Sequence, residues 1–543
     1  MKTIMNKLIP FVLTSLLFSP LCISEEEKDP AEVSIGERLF LETRFAQAYY
    51  ANPNKADPAV AKTITVNGAL KSPFAGKTMN CRACHMVDEH AENPSAGMRT
   101  YSDYSKRPPV PLRDDGNKTS GRNSMSMVNI SLPHHSQNSA IFHFDGQFNS
   151  MEDLVLGTFT GRNFGWTVTE TEKAIKHIAK IIREDDGKGE LAQEFGGAYR
   201  KIFNATDNSI ASEFILPAEY RLDVTTATDQ QILNLVAKLV SVYVTQLTFQ
   251  IDDNGQYTGS PYDKFLALNN LPRKPLKNES NTAYSKRLLT AVNNLKQPRY
   301  LSENAKVNKF ISHKQAFKFG NDELKGMKLF FSRAKNEKSG GNCVSCHTAP
   351  HFSDFGFHNT GLTQENYDVL HGKGAFNKLL IPSLVKRNRN YDEFLPATSK
   401  HPNAKSRFRS IAEKSKVGYT DLGLWNILDN LDIPAPQTKL KNIMCAQAKE
   451  TNINSCSNSD LLGNAIAAFK TPVLRDIEHS NPYLHTGQFS ELENVIRVYI
   501  RSSELARDKK LRNSEKHIED IKLEEKDIPY LVSFLKALNE DYE

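Results

Sequence analysis

The chain has 543 residues, 39% of them hydrophobic and 24% charged, which supplies apolar material for two or three domains and excludes a disordered or fibrous protein. Its 69 Lys and Arg against 63 Asp and Glu leave a formal charge of +6. That mixture is too even for a protein that wraps nucleic acid, so no nucleic-acid partner is expected.

The apolar run nearest to membrane length stands at the extreme N-terminus, where Lys2 and Lys7 precede Leu8 to Leu21, then Cys22-Ile23-Ser24 and Glu25-Glu26-Glu27. This pattern predicts a cleaved signal peptide over 1–24 and export to the periplasm. The alternative is an uncleaved anchor, against which stands an apolar core too short to span a bilayer comfortably. No stable membrane span is expected.

Next in order, Gly36-Glu37-Arg38-Leu39-Phe40 reads as an amphipathic helix leading toward Cys81-Arg82-Ala83-Cys84-His85. Far downstream, Gly326-Met327-Lys328-Leu329-Phe330 leads in the same way toward Cys343-Val344-Ser345-Cys346-His347. Two thiols three positions apart can form thioethers to the vinyl groups of one haem, and the adjacent histidine then reaches the iron as its proximal ligand. Cys-x-x-Cys alone also serves zinc and redox sites, but here histidine follows both pairs in a chain read as exported. The motifs therefore predict two covalently bound haem c groups on Cys81, Cys84, His85 and Cys343, Cys346, His347.

The repeat extends beyond the motifs. Asp145-Gly146-Gln147-Phe148 and the helical pattern from Met151 parallel Thr486-Gly487-Gln488-Phe489 and the pattern from Leu492. Each half closes with an apolar helical stretch, Ile232 to Leu247 and Ile528 to Leu538. Aligning the two glycine turns sets Thr158 opposite Tyr499. Between the halves, Asp252 to Tyr300 is rich in Asn, Gly, Pro and Lys and reads as a connector with a short ordered piece at Gly259-Ser260-Pro261-Tyr262-Asp263. The expected fold is mainly α, with two tandem class I cytochrome c-like haem domains at 31–250 and 306–543 joined by a connector at 251–305. Cys445 and Cys456, in or beside a polar Asn- and Ser-rich segment, form either a loop-closing disulfide or two free thiols.

Phe469-Lys470-Thr471-Pro472-Val473-Leu474-Arg475-Asp476 followed by Pro482-Tyr483-Leu484-His485-Thr486-Gly487 resembles the signature of the bacterial dihaem cytochrome c peroxidases and MauG-type enzymes. Gly121-Arg122-Asn123-Ser124 and the stretch from Phe355 to Leu362 look like further segments of that family. The resemblance covers both haem domains. It implies a periplasmic oxidoreductase that reduces peroxide or activates dioxygen at the N-terminal haem. Electrons would come through the C-terminal haem from a cytochrome c, a cupredoxin or an oxidisable protein substrate.

The family takes a distal ligand for its second haem fourteen positions after the signature histidine, which here is Tyr499; a core tyrosine is the alternative. A phenolate favours ferric iron and lowers the potential. Threonine at position 158 is a poor ligand and predicts an open first haem. The family's distal glutamine, proline and glutamate correspond to Leu154, Thr158 and Phe164, and its tryptophan between the haems to Phe144. An apolar residue cannot move a proton, so Arg162 and Asn163 become the nearest candidates to assist peroxide cleavage. The resemblance also points to calcium on Asn93, Ser480 and Pro482, or else to ordinary loop residues there. Two other readings stay open: a dihaem electron carrier or redox sensor without its own substrate, and a dioxygenase like the rubber oxygenases, with Phe164 over the first haem.

Overall fold

The computed structural model describes residues 29–51, 80–81, 84–85, 110, 113–115, 117, 120–205, 209–302, 310, 315–334, 339–450 and 456–540. The signal peptide expected at 1–24 and the calcium ligand expected at Asn93 lie outside them. The described part is mainly α, and no helix in it is long and apolar enough to cross a membrane.

The internal repeat is visible in backbone detail. Phe142 bridges Phe148 around a turn in which His143 and Gly146 have φ of 75° and 71°. Tyr483 bridges Phe489 around a turn in which Leu484 and Gly487 have φ of 69° and 59°. The helices that follow, Met151–Phe159 and Leu492–Arg507, begin at equivalent positions, so Thr158 and Tyr499 are structural counterparts.

Each half closes by a helix crossing. Helix Ala31–Leu41 packs on Asp229–Gln246, and helix Asn321–Phe331 packs on Ile528–Lys536. A side chain at Gly36 would collide with the Leu239 carbonyl, and one at Gly326 with the Tyr530 carbonyl, so glycine sets how closely each pair approaches. Ile35, Leu39 and Phe40 meet Val236, Leu239 and Tyr243 in the first core; Met327 and Phe330 meet Leu531 and Phe534 in the second.

The stretch read as a connector is more ordered than its composition predicts. Ser260 caps helix Pro261–Leu268 through a reciprocal bond with Asp263, and Pro261 stands at its first turn. Tyr262 and Phe265 from this helix, with Tyr284 and Leu288 from helix Asn281–Asn293, belong to the second core. Asp263 also holds Arg475 by two bonds of 2.9 and 3.0 Å, inside the protein. Local polarity hid a segment whose Tyr262, Phe265, Tyr284 and Leu288 are buried in that core.

A third core is absent from the repeat. Between the second Cys-x-x-Cys-His motif and Phe469, residues including Tyr367, Phe376, Phe408, Trp425 and Ile443 form their own cluster, into which Ile141 of the first half is inserted. Cys445 and Cys456 are joined there, with Cα atoms 5.4 Å apart, connecting helix Gln437–Glu450 to the start of helix Asn458–Asn464. Of the two readings of these cysteines, the structure has the disulfide. The short antiparallel pair Phe357–His358 and Phe469–Lys470, with Phe357 opposite Lys470, flanks this lobe.

Replacing Gly326 by alanine forces the second crossing apart. The expected cost is on the order of 1–3 kcal/mol in urea denaturation, and an unchanged midpoint would show that the crossing has slack.

Candidate functional site

Both Cys-x-x-Cys-His motifs fold into the same tight turn. The amides of Cys84 and His85 donate to the Cys81 carbonyl at 3.0 Å; those of Cys346 and His347 donate to the Cys343 carbonyl at 3.3 and 2.8 Å. The turn brings both cysteines and the histidine of each motif to one place. His85 Nδ1 lies 3.0 Å from the Met125 carbonyl and His347 Nδ1 lies 3.0 Å from the Phe352 carbonyl. A carbonyl can only accept, so Nδ1 carries the proton and Nε2 keeps its lone pair for a metal. Burial pulls the His85 imidazole down to about 4 and lowers His347 as well, leaving both rings neutral and ready to ligate at pH 7.

In the second half these groups line a cavity of about 190 Å³. Its walls are Cys343, Cys346 and His347, the apolar Phe330, Leu474, Ile496 and Leu531, and Tyr499 from helix Leu492–Arg507. His347 and Tyr499, nominated from different parts of the sequence, thus face a common space. Burial, and then the neighbouring cysteine sulfurs, push the Tyr499 hydroxyl up. The Cys343 thiol is pushed up to about 12 by burial and by Cys346. An apolar cavity bearing two thiols, a neutral imidazole and a phenol has the donor groups that a haem would require, with Cys343, Cys346, His347 and Tyr499 the residues that would hold it.

At the first site, Cys81 and Cys84 pack against the first core beside Met125 and Leu154. Thr158 is half-buried at the position equivalent to Tyr499. Phe164 is buried in the core, edge-on to Phe159 at 5.0 Å. Asn163 is exposed, and Arg162 is held outward by Asp115 at 2.7 and 2.9 Å and by the Asn117 carbonyl. Leu154, Thr158 and Phe164 therefore belong to one packed region, whereas Arg162 and Asn163 turn toward solvent.

Phe144 connects the sites. It lines the cavity of Tyr499 and also a small cleft beside Met125, whose carbonyl holds His85. Its ring stands 6.5 Å from that of His485, its own counterpart in the repeat, which in turn stacks on Phe469 at 3.6 Å. The Gly-Arg-Asn segment docks here: the Asn123 amide donates to the His485 carbonyl at 2.8 Å, and its side chain donates to the Pro482 carbonyl at 2.5 Å.

Two of the residues named for calcium, Ser480 and Pro482, stand at this seam. Besides the bond from Asn123 to Pro482, the Ser480 hydroxyl donates to the Asp476 carbonyl at 2.8 Å. Among the described residues no cluster of three or more His, Cys, Asp or Glu is arranged to hold a metal ion.

Sequence reasoning missed a buried ionic cluster at this seam. Arg122 meets Asp145 at 2.6 Å and Asp421 at 2.6 and 2.9 Å, while Arg409 meets Asp145 at 3.0 Å. Asp145 is fully buried. Burial alone would raise its carboxyl, but Arg122 and Arg409 outweigh that and hold it well below the carboxylate range; Arg122 does the same, less strongly, for Asp421. The signals available were the Gly-Arg-Asn segment and the Asp-Gly turn. Their partners Arg409 and Asp421 lie in the third lobe, where no motif marks them.

No family model and no curated protein matches the chain. Among solved structures, the dihaem peroxidase BthA from Burkholderia thailandensis aligns over 94% of this chain and 87% of its own, at 14% identity and a TM-score of 0.43. A variant of that protein aligns at 13% identity with the same coverage and score. A MauG-like protein associated with microbial copper homeostasis aligns over 94% and 90%, at 14% identity and a TM-score of 0.42. At this level of similarity, function is argued from the residues themselves.

Asp145 and Asp421 have folded pKa values depressed from the ordinary 3.8. Their stabilisation is fully present above that value and is lost as pH falls through it toward the folded pKa. Replacing Asp145 by asparagine leaves buried guanidinium charge uncompensated. It should cost about 3–5 kcal/mol at pH 7 and flatten the acid limb of the stability curve in denaturant titrations. Equal acid slopes in the two proteins would show that the cluster does not govern acid unfolding.

Proposed function

We propose that the chain is a periplasmic dihaem c-type oxidoreductase of the cytochrome c peroxidase and MauG type, acting on peroxide or dioxygen at its N-terminal site and taking electrons in at its C-terminal site. The observation that carries this reading is the inequality of two repeated sites. Both have the same turn and the same carbonyl-held histidine, but one presents Tyr499 to its cavity and the other has Thr158 at that position.

Covalently bound haem supplies iron that exchanges single electrons and, where a coordination position stays open, binds an oxidant. The protein determines which site does which. Met125 and Phe352 orient His85 and His347 with Nε2 unprotonated. Tyr499 offers an oxygen donor within the second cavity, closing that site to small ligands and favouring its oxidised state. Thr158 offers no comparable donor, which leaves the first site accessible. Phe164 and Leu154 keep the surroundings of that site apolar. Phe144 and His485 separate the two sites by side chains in contact rather than by solvent. Electrons would come from a small redox protein such as a cytochrome c or cupredoxin, or from an oxidisable protein substrate.

One observation favours a second reading. Arg162 is tied to Asp115 and Asn163 faces solvent, so neither is placed to move a proton at the first site. On this reading the chain is a dihaem carrier or sensor, or uses dioxygen in place of peroxide.

The deciding experiment is the low-temperature EPR spectrum of the diferric protein before and after one equivalent of hydrogen peroxide. An initial high-spin signal that disappears rapidly supports the peroxidase reading. A spectrum without a high-spin component and without response supports the carrier or sensor. Replacing Tyr499 by phenylalanine should alter the low-spin signal of one haem while haem content stays at two per chain; an unaltered spectrum would remove Tyr499 from the coordination sphere.

A further inference from the structure

The second cavity has an ionic wall that the axial donors do not explain. His358, on the short strand Phe357–His358, lines the cavity and lies beside the Cys346 sulfur. Its side chain is only 9% exposed. Nε2 lies 2.8 Å from Asp354 Oδ2 and Nδ1 lies 2.9 Å from Glu515 Oε2. A neutral imidazole has one N–H and would set its other lone pair against a carboxylate; only the imidazolium donates to both. Gln447, also against the ring, engages the Phe357 backbone with its amide, accepting at 3.2 Å and donating at 3.1 Å.

The carboxylates are themselves fixed. Asp354 accepts from the Gly356 amide at 2.8 Å, and its own amide donates to the Cys346 carbonyl at 2.8 Å, which couples the pair to the haem-attachment turn. The Glu515 amide donates to the Asn359 carbonyl at 3.3 Å. The positive charge is therefore held in place from two chain segments and cannot swing into solvent.

We propose that His358 is an electrostatic positioning residue of the second haem site: a buried cation, clamped by Asp354 and Glu515, that offsets part of their negative charge and so makes this centre easier to reduce than the two carboxylates alone would allow. The proposal rests on reading Cys343, Cys346 and His347 as a haem site. A charge in the wall of a desolvated cavity acts with little screening, whereas surface charges are damped by water and salt.

Spectroelectrochemical titration of the holoprotein tests it. With His358→Gln the second haem should become at least tenfold harder to reduce, a downward shift of about 59 mV for one electron. With Glu515→Gln, which removes a negative charge, the potential should move upward. The first haem is the internal reference and should stay in place in both variants. Shifts of opposite sign identify a charge effect. Shifts of the same sign, or none, overturn the proposal, since loss of packing would disturb both variants alike. If His358→Gln does not accumulate, the sign for Glu515→Gln decides. Fewer than two haems in the unmodified protein, counted as pyridine haemochrome, would remove the dihaem reading; two haems with an unmoved potential would remove only the role of His358.

Discussion

Everything in each half hangs on one close contact, the crossing of its first and last helices over Gly36 or Gly326. That contact ties together segments some two hundred residues apart and so determines where the intervening chain must run. Between the crossed helices the chain has only to form the Cys-x-x-Cys-His turn, return through the glycine turn, and send one helix back over the same space. The two halves obey this constraint with different sequences. Thr158 and Tyr499 therefore occupy equivalent places while offering different chemistry.

Electrostatics organises the seam where the halves meet. Arg122 from the first half binds Asp421 of the third lobe, and Arg409 of that lobe binds Asp145 of the first half. Such a cluster is costly to desolvate and gains its value from complete pairing, so it specifies one docking geometry in preference to adding raw stability. The same seam contains Lys470, which burial and nearby Lys439 pull down to about 7 and whose amine donates to the Ile141 carbonyl at 2.6 Å. Charged groups at this boundary bind backbone or each other.

The Cys-x-x-Cys-His motifs and the repeat were legible in the sequence because each is a local pattern, cysteines three apart or a glycine turn before a helical period, whereas Tyr499 was reached only through the family resemblance, which sets its distance from His485. The disulfide was legible as one of two outcomes. What could not be read is made of long-range pairing. Asp421 and Arg409 have no local feature to set them apart from the other charged residues of a polar stretch. Asp263 reads only as the end of a short ordered piece in the connector, although it clamps Arg475 of the signature. The two carboxylates around His358 are separated from it by 4 and 157 positions. Arg162 and Asn163 were nominated because they are near in sequence, and a 3-10 turn at Arg162–Phe164 directs them outward while burying Phe164.

Lys439 belongs to the helix of the third lobe that also carries Cys445, yet its amine donates to both ends of the first half's glycine turn, the Ala140 carbonyl at 2.9 Å and the Asn149 carbonyl at 2.6 Å. One side chain thus staples the entry and exit of a loop that its own lobe does not contain. With Ile141 seated in the third core, neither lobe keeps a complete interior once the other is gone. The third lobe ties the first half into its own interior, so severing the chain at the apparent domain boundary would leave parts that cannot be exchanged as independent units.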